Sequence, residues 1–204
     1  FMYVLPKLFA TYCSKYPTVQ VTVYRNFSYK IIEKLESGAL DAGIVTLPVK
    51  SPNLKAHTIF RDRLMLMVSA ENPLAGRKSV TAEDVAGQPL ILPTRGYTRR
   101  LMEKLLHPHA SKLQIRMELA SVGVIKSFVA ANIGVTLLSE SFARDEVRAG
   151  RVKLIPLRDA ELWRELGLVY RTNRVHTRAV SSFISTVREV ANDLRSGPAA
   201  PSAR

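Results

Sequence analysis

Short strand-like and helical patterns alternate along this 204-residue chain, and this alternation restricts the possible folds most. Apolar and polar positions alternate over residues 19–23, which predicts a strand. A helical period follows Ser28 and ends at Gly38, and residues 42–47 form a short apolar run typical of a buried strand. A strand, a helix and a strand in succession favour a right-handed crossover between parallel strands. The sequence therefore predicts an α/β fold with parallel pairing.

The same alternation continues through the rest of the chain. Pro17 ends the first helix, and Thr81 with Asp84 has the spacing of a capping box. The remaining predicted strands are 63–69, 90–92, 114–119, 135–138, 152–157 and 164–171. The predicted helices, besides the one after Ser28, are 5–16, 81–86, one after Thr98, one after Ser121 that ends near Gly134, 142–148 and 178–194. The pattern suggests two α/β lobes.

The chain is strongly basic, with 30 Lys and Arg against 17 Asp and Glu and a net charge of +13. That balance fits an acidic partner such as nucleic acid or an anionic ligand. A solvated basic surface explains it equally well, because the basic residues are spread over the whole chain. They form no arginine-rich arm with interleaved aromatic residues.

The sequence offers no chemistry of a metal site or an enzyme. Its four histidines lack metal-ligand spacing, no cofactor fingerprint occurs, and no nucleophile or phosphate-binding motif is present. We therefore expect no cofactor, no metal and no catalysis. No apolar run is long enough to span a membrane and no signal peptide is recognisable. Cys13 lies in the apolar stripe of the first helix, which predicts a core or interface thiol.

Three segments carry a resemblance to a known family. They are LPKLFATYCSKYPTVQVTVYRNFSYKIIEKLESGALDAGIV (residues 5–45), LMLMVSAENPLAGRKSVTAEDVAGQPLILP (64–93) and ASVGVIKSFVAANIGVTLLSESFARDEVRAGRVKLIPL (120–157). Together they resemble the effector-binding domain of LysR-type transcriptional regulators, and the resemblance runs from about Tyr3 to about Leu194.

The resemblance implies two Rossmann-like lobes with a cleft between them, similar to type 2 periplasmic binding proteins. It assigns residues 1–68 and 163–204 to the first lobe, with 196–204 as a flexible tail, and residues 69–162 to the second. The first strand of the family, which precedes the helix at Leu5, is missing from this sequence. The family's winged helix-turn-helix DNA-binding domain is also absent from it.

The resemblance also implies a function. The chain would be the ligand-sensing and oligomerising part of a cytoplasmic regulator, a homodimer or homotetramer that binds DNA through the absent domain and has no membrane contact. A small effector, expected to be a carboxylate, would lie in the cleft. The alternative is a periplasmic solute-binding protein of the same fold.

Hydroxyl side chains stand at three helix starts that follow strands: Ser28, Thr98 and Ser121. Helix N-termini present unpaired N–H groups and a partial positive charge, which suit a carboxylate. The loop at 94–98 adds Arg95, whose planar fork matches a carboxylate, and Gly96, which lets a ligand approach the backbone. Plain helix capping and a solvated arginine explain the same residues.

The remaining candidate ligand contacts come from the same loop and from positions that match cleft-lining residues of the family. They are Thr94, Tyr97, Thr46, Leu47, Val122 and Leu138. For the last four, packing is an equally good explanation. The resemblance further implies that the first helix pairs with the helix at 121–132 of a partner, through Leu8, Tyr12 and Phe128.

Overall fold

A computed structural model describes residues 4–196. The helices are α1 (Val4–Lys15), α2 (Ser28–Glu36), α3 (Ala82–Ala86), α4 (Tyr97–Leu106), α5 (Val122–Ala130), α6 (Arg144–Arg148) and α7 (Arg178–Ser196). The strands are β1 (Ala42–Thr46), β2 (Leu54–Ser69), β3 (Pro89–Pro93), β4 (Gln114–Leu119), β5 (Thr136–Ser139), β6 (Val152–Ile155) and β7 (Trp163–Arg171). The predicted tail at 196–204 lies outside the described residues from position 197 onward.

The chain forms two compact units. Unit 1 contains the residues up to Arg61 and those from Glu165 onward, and unit 2 spans Asp62–Arg164. The boundaries fall inside β2 and β7, the two strands through which the chain passes from one unit to the other. The family resemblance placed the lobe boundaries after residues 68 and 162. Those lobe boundaries stay a prediction.

Unit 1 is built on β7, which lies between β1 and the first part of β2. Its alternating side chains face two separate cores. Leu168 packs in a cluster with side chains from α1 and α7, and Val169 packs in a cluster with side chains from α2. Because successive residues of a strand point to opposite faces, helices cover both faces of this sheet.

Unit 2 contains a parallel pair of strands, β3 and β4. The second part of β2 pairs antiparallel with β5 and with β6. A single parallel bridge joins Leu90 of β3 to Val135, directly before β5. Two apolar clusters fill this unit, one around Leu66 and Leu90 and the other around Ile91 and Ile125.

The predicted strand at 19–23 does not form. Residues 19–27 have no ladder partner in the described part of the chain, and residues 20–27 are exposed on both alternating faces, with Val23 at 62%. An extended segment without a partner strand has no hydrogen-bond ladder to stabilise it. The expectation of parallel pairing is also wrong for β1, which runs antiparallel to β7, with Ala42 opposite Tyr170.

Other boundaries differ for local reasons. The prediction missed the first half of β2, where Lys55 and His57 interrupt the apolar pattern. Helix α5 ends at Ala130, before Gly134, because Asn132 adopts a left-handed conformation with φ 57°. The capping box is confirmed, since the Thr81 hydroxyl accepts from the Asp84 N–H at 3.1 Å and the Asp84 carboxylate accepts from the Thr81 N–H at 2.9 Å.

The first and last residues of unit 2, Asp62 and Arg164, form a buried ion pair. The Arg164 guanidinium donates to the Asp62 carboxylate at 3.0 Å, and the Ser141 hydroxyl donates to the same carboxylate at 2.6 Å. Asp62 is 3% exposed and Arg164 8% exposed. Burial lowers the pKa of Arg164, and the attraction of Asp62 opposes that shift. The cluster fastens β2, β7 and the 3-10 turn at Glu140–Phe142 to one another.

Replacing Asp62 by Ala should destabilise unit 2 by about 3–5 kcal/mol, because a buried guanidinium would lose its charge partner. The matched control is Asp41→Ala, which removes an exposed carboxylate that lies 3.8 Å from Arg174. That change should alter the free energy of unfolding by about 1 kcal/mol or less. Urea denaturation measures both, and equal effects of the two substitutions would contradict the structural role of Asp62.

Candidate functional site

The parallel pairing of β3 and β4 brings two of the predicted ligand loops together. Pro93, the last residue of β3, lies opposite Leu119, the last residue of β4. The Thr94 N–H donates to the Leu119 carbonyl at 3.1 Å. This hydrogen bond extends the pairing of the two strands by one residue. The loop 94–96 and the loop 120–121 therefore leave the same edge of the sheet, at the carboxyl ends of the strands. Open α/β sheets bind ligands at such an edge.

The start of α4 has no side chain capping it. Its N-cap residue is Gly96, with φ 106°, a conformation that L side chains rarely adopt. The first N–H groups of a helix have no partner within the helix, so this end attracts a negative charge. Thr94 and Arg95 are exposed directly before it. Together they form an edge suited to an anion.

Thr98 does not cap the helix as expected, because α4 begins one residue earlier, at Tyr97. Thr98 is the second residue of the helix and is half-buried. Tyr97 is held in place through its hydroxyl, which donates to the Trp163 carbonyl at 3.1 Å. Both residues therefore lie at the start of α4, and the hydrogen bond to Trp163 connects Tyr97 to the last residues of unit 2.

Two arginines that follow in α4, Arg99 and Arg100, differ in their partners. Arg99 is occupied, since it contacts the carboxylates of Glu103 at 2.6 Å and Glu118 at 2.7 Å. These hydrogen bonds raise the pKa of Arg99. Arg100 is exposed, and its guanidinium lies 6.0 Å from the ring of Tyr97. No local pattern distinguishes Arg99 from Arg95 and Arg100, because its partner Glu118 lies on β4, 19 residues further along the chain.

The second loop ends at Ser121, which caps α5. Its hydroxyl accepts from the Val124 N–H at the long distance of 3.5 Å, and Ser121 is exposed. The predicted cap is confirmed. Val122 is half-buried and packs against the core around Ile125. Leu138 is 5% exposed and belongs to the same core, so packing accounts for it.

The three candidates of unit 1 also lie together. Ser28 is the first residue of α2 rather than its cap, a position that Phe27 occupies. Its hydroxyl accepts from the Thr46 N–H at 3.0 Å and joins the start of α2 to the end of β1. Leu47 packs against Gly167, where a Cβ would come within 2.7 Å of the leucine side chain. Leu47 is therefore a packing residue in this structure.

Two polar clusters were not predicted: the Asp62 cluster described above and a group formed by His57, Tyr170 and Arg188. Their members are separated by 18 to 131 residues, so no local pattern indicates them. Among the described residues, no three His, Cys, Asp or Glu side chains are placed to hold a metal ion. None of the helices within residues 4–196 combines the length and apolar character that crossing a bilayer requires.

Comparison with known proteins identifies the family. The model of the LysR substrate binding domain matches residues 2–192, so the chain belongs to this family. It is 26% identical over 200 residues to the RuBisCO operon transcriptional regulator of Acidithiobacillus ferrooxidans, covering 98% of the chain and 65% of that protein. It is 27% identical over 183 residues to the HTH-type transcriptional regulator YeiE of Escherichia coli (strain K12), covering 89% and 62% respectively.

Solved structures show the same fold. The regulatory domain of Synechocystis PCC6803 CcmR in complex with 2-PG matches with a TM-score of 0.85 at 20% identity, covering 95% of this chain and 93% of that one. The BenM effector binding domain with benzoate matches with a TM-score of 0.77 at 22% identity, covering 97% and 90%. The predicted α/β fold of the type 2 periplasmic-binding-protein kind is therefore confirmed.

The predicted family is confirmed as well, and its members are transcriptional regulators rather than enzymes. The chain spans slightly less than two thirds of the length of these curated relatives. These relatives are transcriptional regulators, which does not support the alternative of a periplasmic solute-binding protein.

Ser28→Ala should expose the Thr46 amide to exchange. Removing the hydroxyl takes away the acceptor of that N–H, and a hydrogen bond of about 1 kcal/mol corresponds to roughly fivefold faster local opening. Hydrogen exchange followed by NMR measures the rate at Thr46. The control, Ser37→Ala, removes a hydroxyl at the far end of α2 that donates to the Lys34 carbonyl. It should leave Thr46 unchanged, and equal acceleration in both variants would contradict the Ser28 contact.

Proposed function

We propose that this chain is the effector-sensing part of a LysR-type transcriptional regulator and that its effector is a small carboxylate. The observation that carries the choice of ligand is the uncapped start of α4 beside the exposed Arg95. A helix N-terminus supplies N–H donors and a partial positive charge, and Arg95 adds a planar fork of donors. A carboxylate satisfies both with two oxygens.

The second loop completes the proposed site. Ser121 and the start of α5 lie at the same edge as the start of α4, because β3 and β4 are parallel neighbours. A ligand at this edge would accept from the N–H groups of two helix starts. The prediction that the same effector also reaches Ser28 and Thr46 in unit 1 rests on the family resemblance. The related effector-binding domains of QuiR and BenM bind shikimate and benzoate, and both molecules are carboxylates.

Regulation would follow from a population shift. An effector can bias a conformational equilibrium by no more than the difference between its affinities for the two states. We infer that effector binding favours one arrangement of the regulatory domains and thereby alters how a cytoplasmic regulator presents its DNA-binding domains. DNA contact would come from the helix-turn-helix domain typical of the full-length relatives, whose names describe HTH-type regulators.

Arg95→Ala should weaken binding of the effector by about ten- to a hundredfold, because charge-assisted hydrogen bonds contribute roughly 1.5–3 kcal/mol. Arg95→Lys should restore part of the affinity, since an ammonium group lacks the planar fork. The effector is first identified by a thermal-shift screen of small carboxylic acids that includes benzoate and shikimate, because a ligand of the folded state raises its stability. Isothermal titration calorimetry then gives the dissociation constants.

The matched control for Arg95 is Arg158→Ala, which removes an exposed arginine from the same unit. It should leave the affinity within about twofold of the parent chain, because its side chain lies on the loop that follows β6 rather than at the β3–β4 edge. Equal losses in Arg95→Ala and Arg158→Ala would show that the net charge, and not Arg95, determines binding. A screen in which neutral molecules bind and carboxylates do not would contradict the proposed ligand class.

We also propose that the chain forms a homodimer, the state from which a tetramer would be built. The residues expected to mediate pairing need correction. Leu8 and Tyr12 are 1% and 2% exposed because they pack against α7 of their own chain. The Tyr12 hydroxyl donates to the Ala179 carbonyl at 2.8 Å, and the Tyr12 ring meets Phe183 edge-on at 5.3 Å. Cys13 is exposed, so it is no core thiol.

The proposed pairing surface is therefore the outer face of α1, with Ala10 and Cys13, and the outer face of α5, with Val124. Val124 is 40% exposed, and Phe128, one turn further, is half-buried. Small and apolar side chains at these positions let two helices approach closely.

Val124→Arg should convert the dimer into a monomer, because a guanidinium would be buried without a partner in the pairing surface. The control is Val147→Arg, at a valine of α6 that is also 40% exposed. Light scattering coupled to size exclusion at micromolar concentrations measures the mass of both variants. A parent chain that is monomeric at high micromolar concentration would contradict the proposal, as would dissociation by both substitutions alike.

A further inference from the structure

Unit 1 contains a small depression formed by residues other than those of the loops described above. It has a volume of about 360 Å³ and is bordered by β2 and α7. Its lining residues are His57, Thr58, Ile59, Arg188, Ala191 and Asn192. Arg188 and Asn192 are four residues apart on α7, so both side chains project from one face of the helix. The depression therefore presents a guanidinium and an amide side by side.

Arg188 is held in place by neutral partners. One of its terminal nitrogens, Nη2, lies 2.8 Å from the Tyr170 hydroxyl and 2.8 Å from His57 Nε2. The His57 and Tyr170 rings stack at 5.7 Å, and their polar atoms are 2.9 Å apart. Tyr170 is 8% exposed and packs in the core of unit 1, so the position of its hydroxyl is determined by that packing.

The geometry determines the state of His57. A guanidinium has donors and no acceptor, so Nε2 of His57 must accept the hydrogen bond. His57 is therefore neutral and carries its proton on Nδ1. Burial lowers the pKa of His57, and the charges of Arg188 and Lys55 lower it further.

Arg188 also lacks a counter-charge. Within the residues that the structure describes, no carboxylate lies within ion-pair distance of its guanidinium. A guanidinium has five N–H donors, and the two acceptors here engage a single nitrogen. The acidic residue next in sequence, Glu189, pairs with Lys15 instead. An oriented guanidinium with unused donors, at the rim of a depression with an amide beside it, has the chemistry of an oxyanion site.

We propose that the depression lined by His57, Arg188 and Asn192 is a second ligand site, specific for a small oxyanion such as a phosphoryl, sulfate or carboxylate group. The guanidinium of Arg188 donates to two oxygens of the anion, and the Asn192 amide donates a third hydrogen bond to it. Proton uptake by His57 strengthens the site, because the bound anion relieves the repulsion between an imidazolium and Arg188. This site is separate from the effector site proposed at α4 and does not depend on it.

The site is tested with sulfate, whose charge does not change between about pH 5 and pH 8 and which therefore isolates the titration of His57. Sodium chloride at matched ionic strength is the control for screening. NMR signals of the His57 ring are followed during the titration. We expect saturable shifts with sulfate, a raised pKa of His57 in its presence, and weaker binding as pH rises through that pKa.

The variants separate the contributions. Arg188→Gln should weaken sulfate binding at least about tenfold, because the charge-assisted pair is lost. Arg178→Ala, which removes an exposed arginine at the start of the same helix, should leave it unchanged. His57→Gln should remove the gain in sulfate affinity that the parent chain shows as pH falls, because the titrating imidazole is lost. The other charged or titratable side chains beside this group are Lys55, Tyr170 and His176, whose ring meets Tyr170 edge-on at 5.3 Å. His176→Gln is therefore the matched control, and it should leave that gain in place.

A response to sulfate no larger than the response to chloride would overturn the proposal, as would equal losses in Arg188→Gln and Arg178→Ala. Titrations with inorganic phosphate and with acetate then distinguish the sources of the oxyanion. Preference for phosphate or sulfate assigns a phosphoryl-like group, and preference for acetate assigns a carboxylate. Binding of neither ion, in a chain whose folding is verified by circular dichroism, would also contradict the site.

Discussion

The ion pair between Asp62 and Arg164 joins the two points at which the chain enters and leaves unit 2. The two residues are the first and last of unit 2, and each lies on a strand that continues into unit 1. Taking both charges out of water is costly, and the hydrogen bonds from Ser141 to the Asp62 carboxylate offset part of that cost. The arginine also lies 4.7 Å from the ring of Phe142. These contacts hold β2, β7 and the turn at Glu140–Phe142 together within unit 2.

A second constraint positions the proposed effector site. The parallel register of β3 and β4 places the starts of α4 and α5 at one sheet edge. Gly96 then allows a backbone conformation that a side chain would oppose, and it leaves the start of α4 without a capping side chain. The proposed site is thus a consequence of topology, and the exposed Arg95 would add specificity to it.

The sequence predicted those features that depend on neighbouring residues. The strand at 114–119, the capping box at Thr81 and the cap at Ser121 follow from local patterns and are confirmed. The failures come from distant partners. Residues 19–23 have the pattern of a strand, but a strand needs a neighbour, and none pairs with them among the described residues.

The same distinction applies to the sites. A hydroxyl at a helix start could be recognised, yet the bond between Ser28 and the Thr46 N–H depends on the packing of α2 against β1. Leu8 and Tyr12 looked available for a partner chain, but α7, more than 160 residues later, covers them (Tyr12 bonds to Ala179 at a separation of 167 residues). The depression at Arg188 joins residues 131 positions apart, and only the folded chain brings them together.

The central claim is that a small carboxylate binds at the edge formed by the starts of α4 and α5. Hydrogen–deuterium exchange of the chain, with and without a saturating carboxylate found by thermal screening, tests it most directly. We expect slower exchange in the segments 94–100 and 121–125, because their N–H groups would donate to the ligand. Protection that spares both segments and appears elsewhere, for example along 55–59 and 188–192, would contradict it.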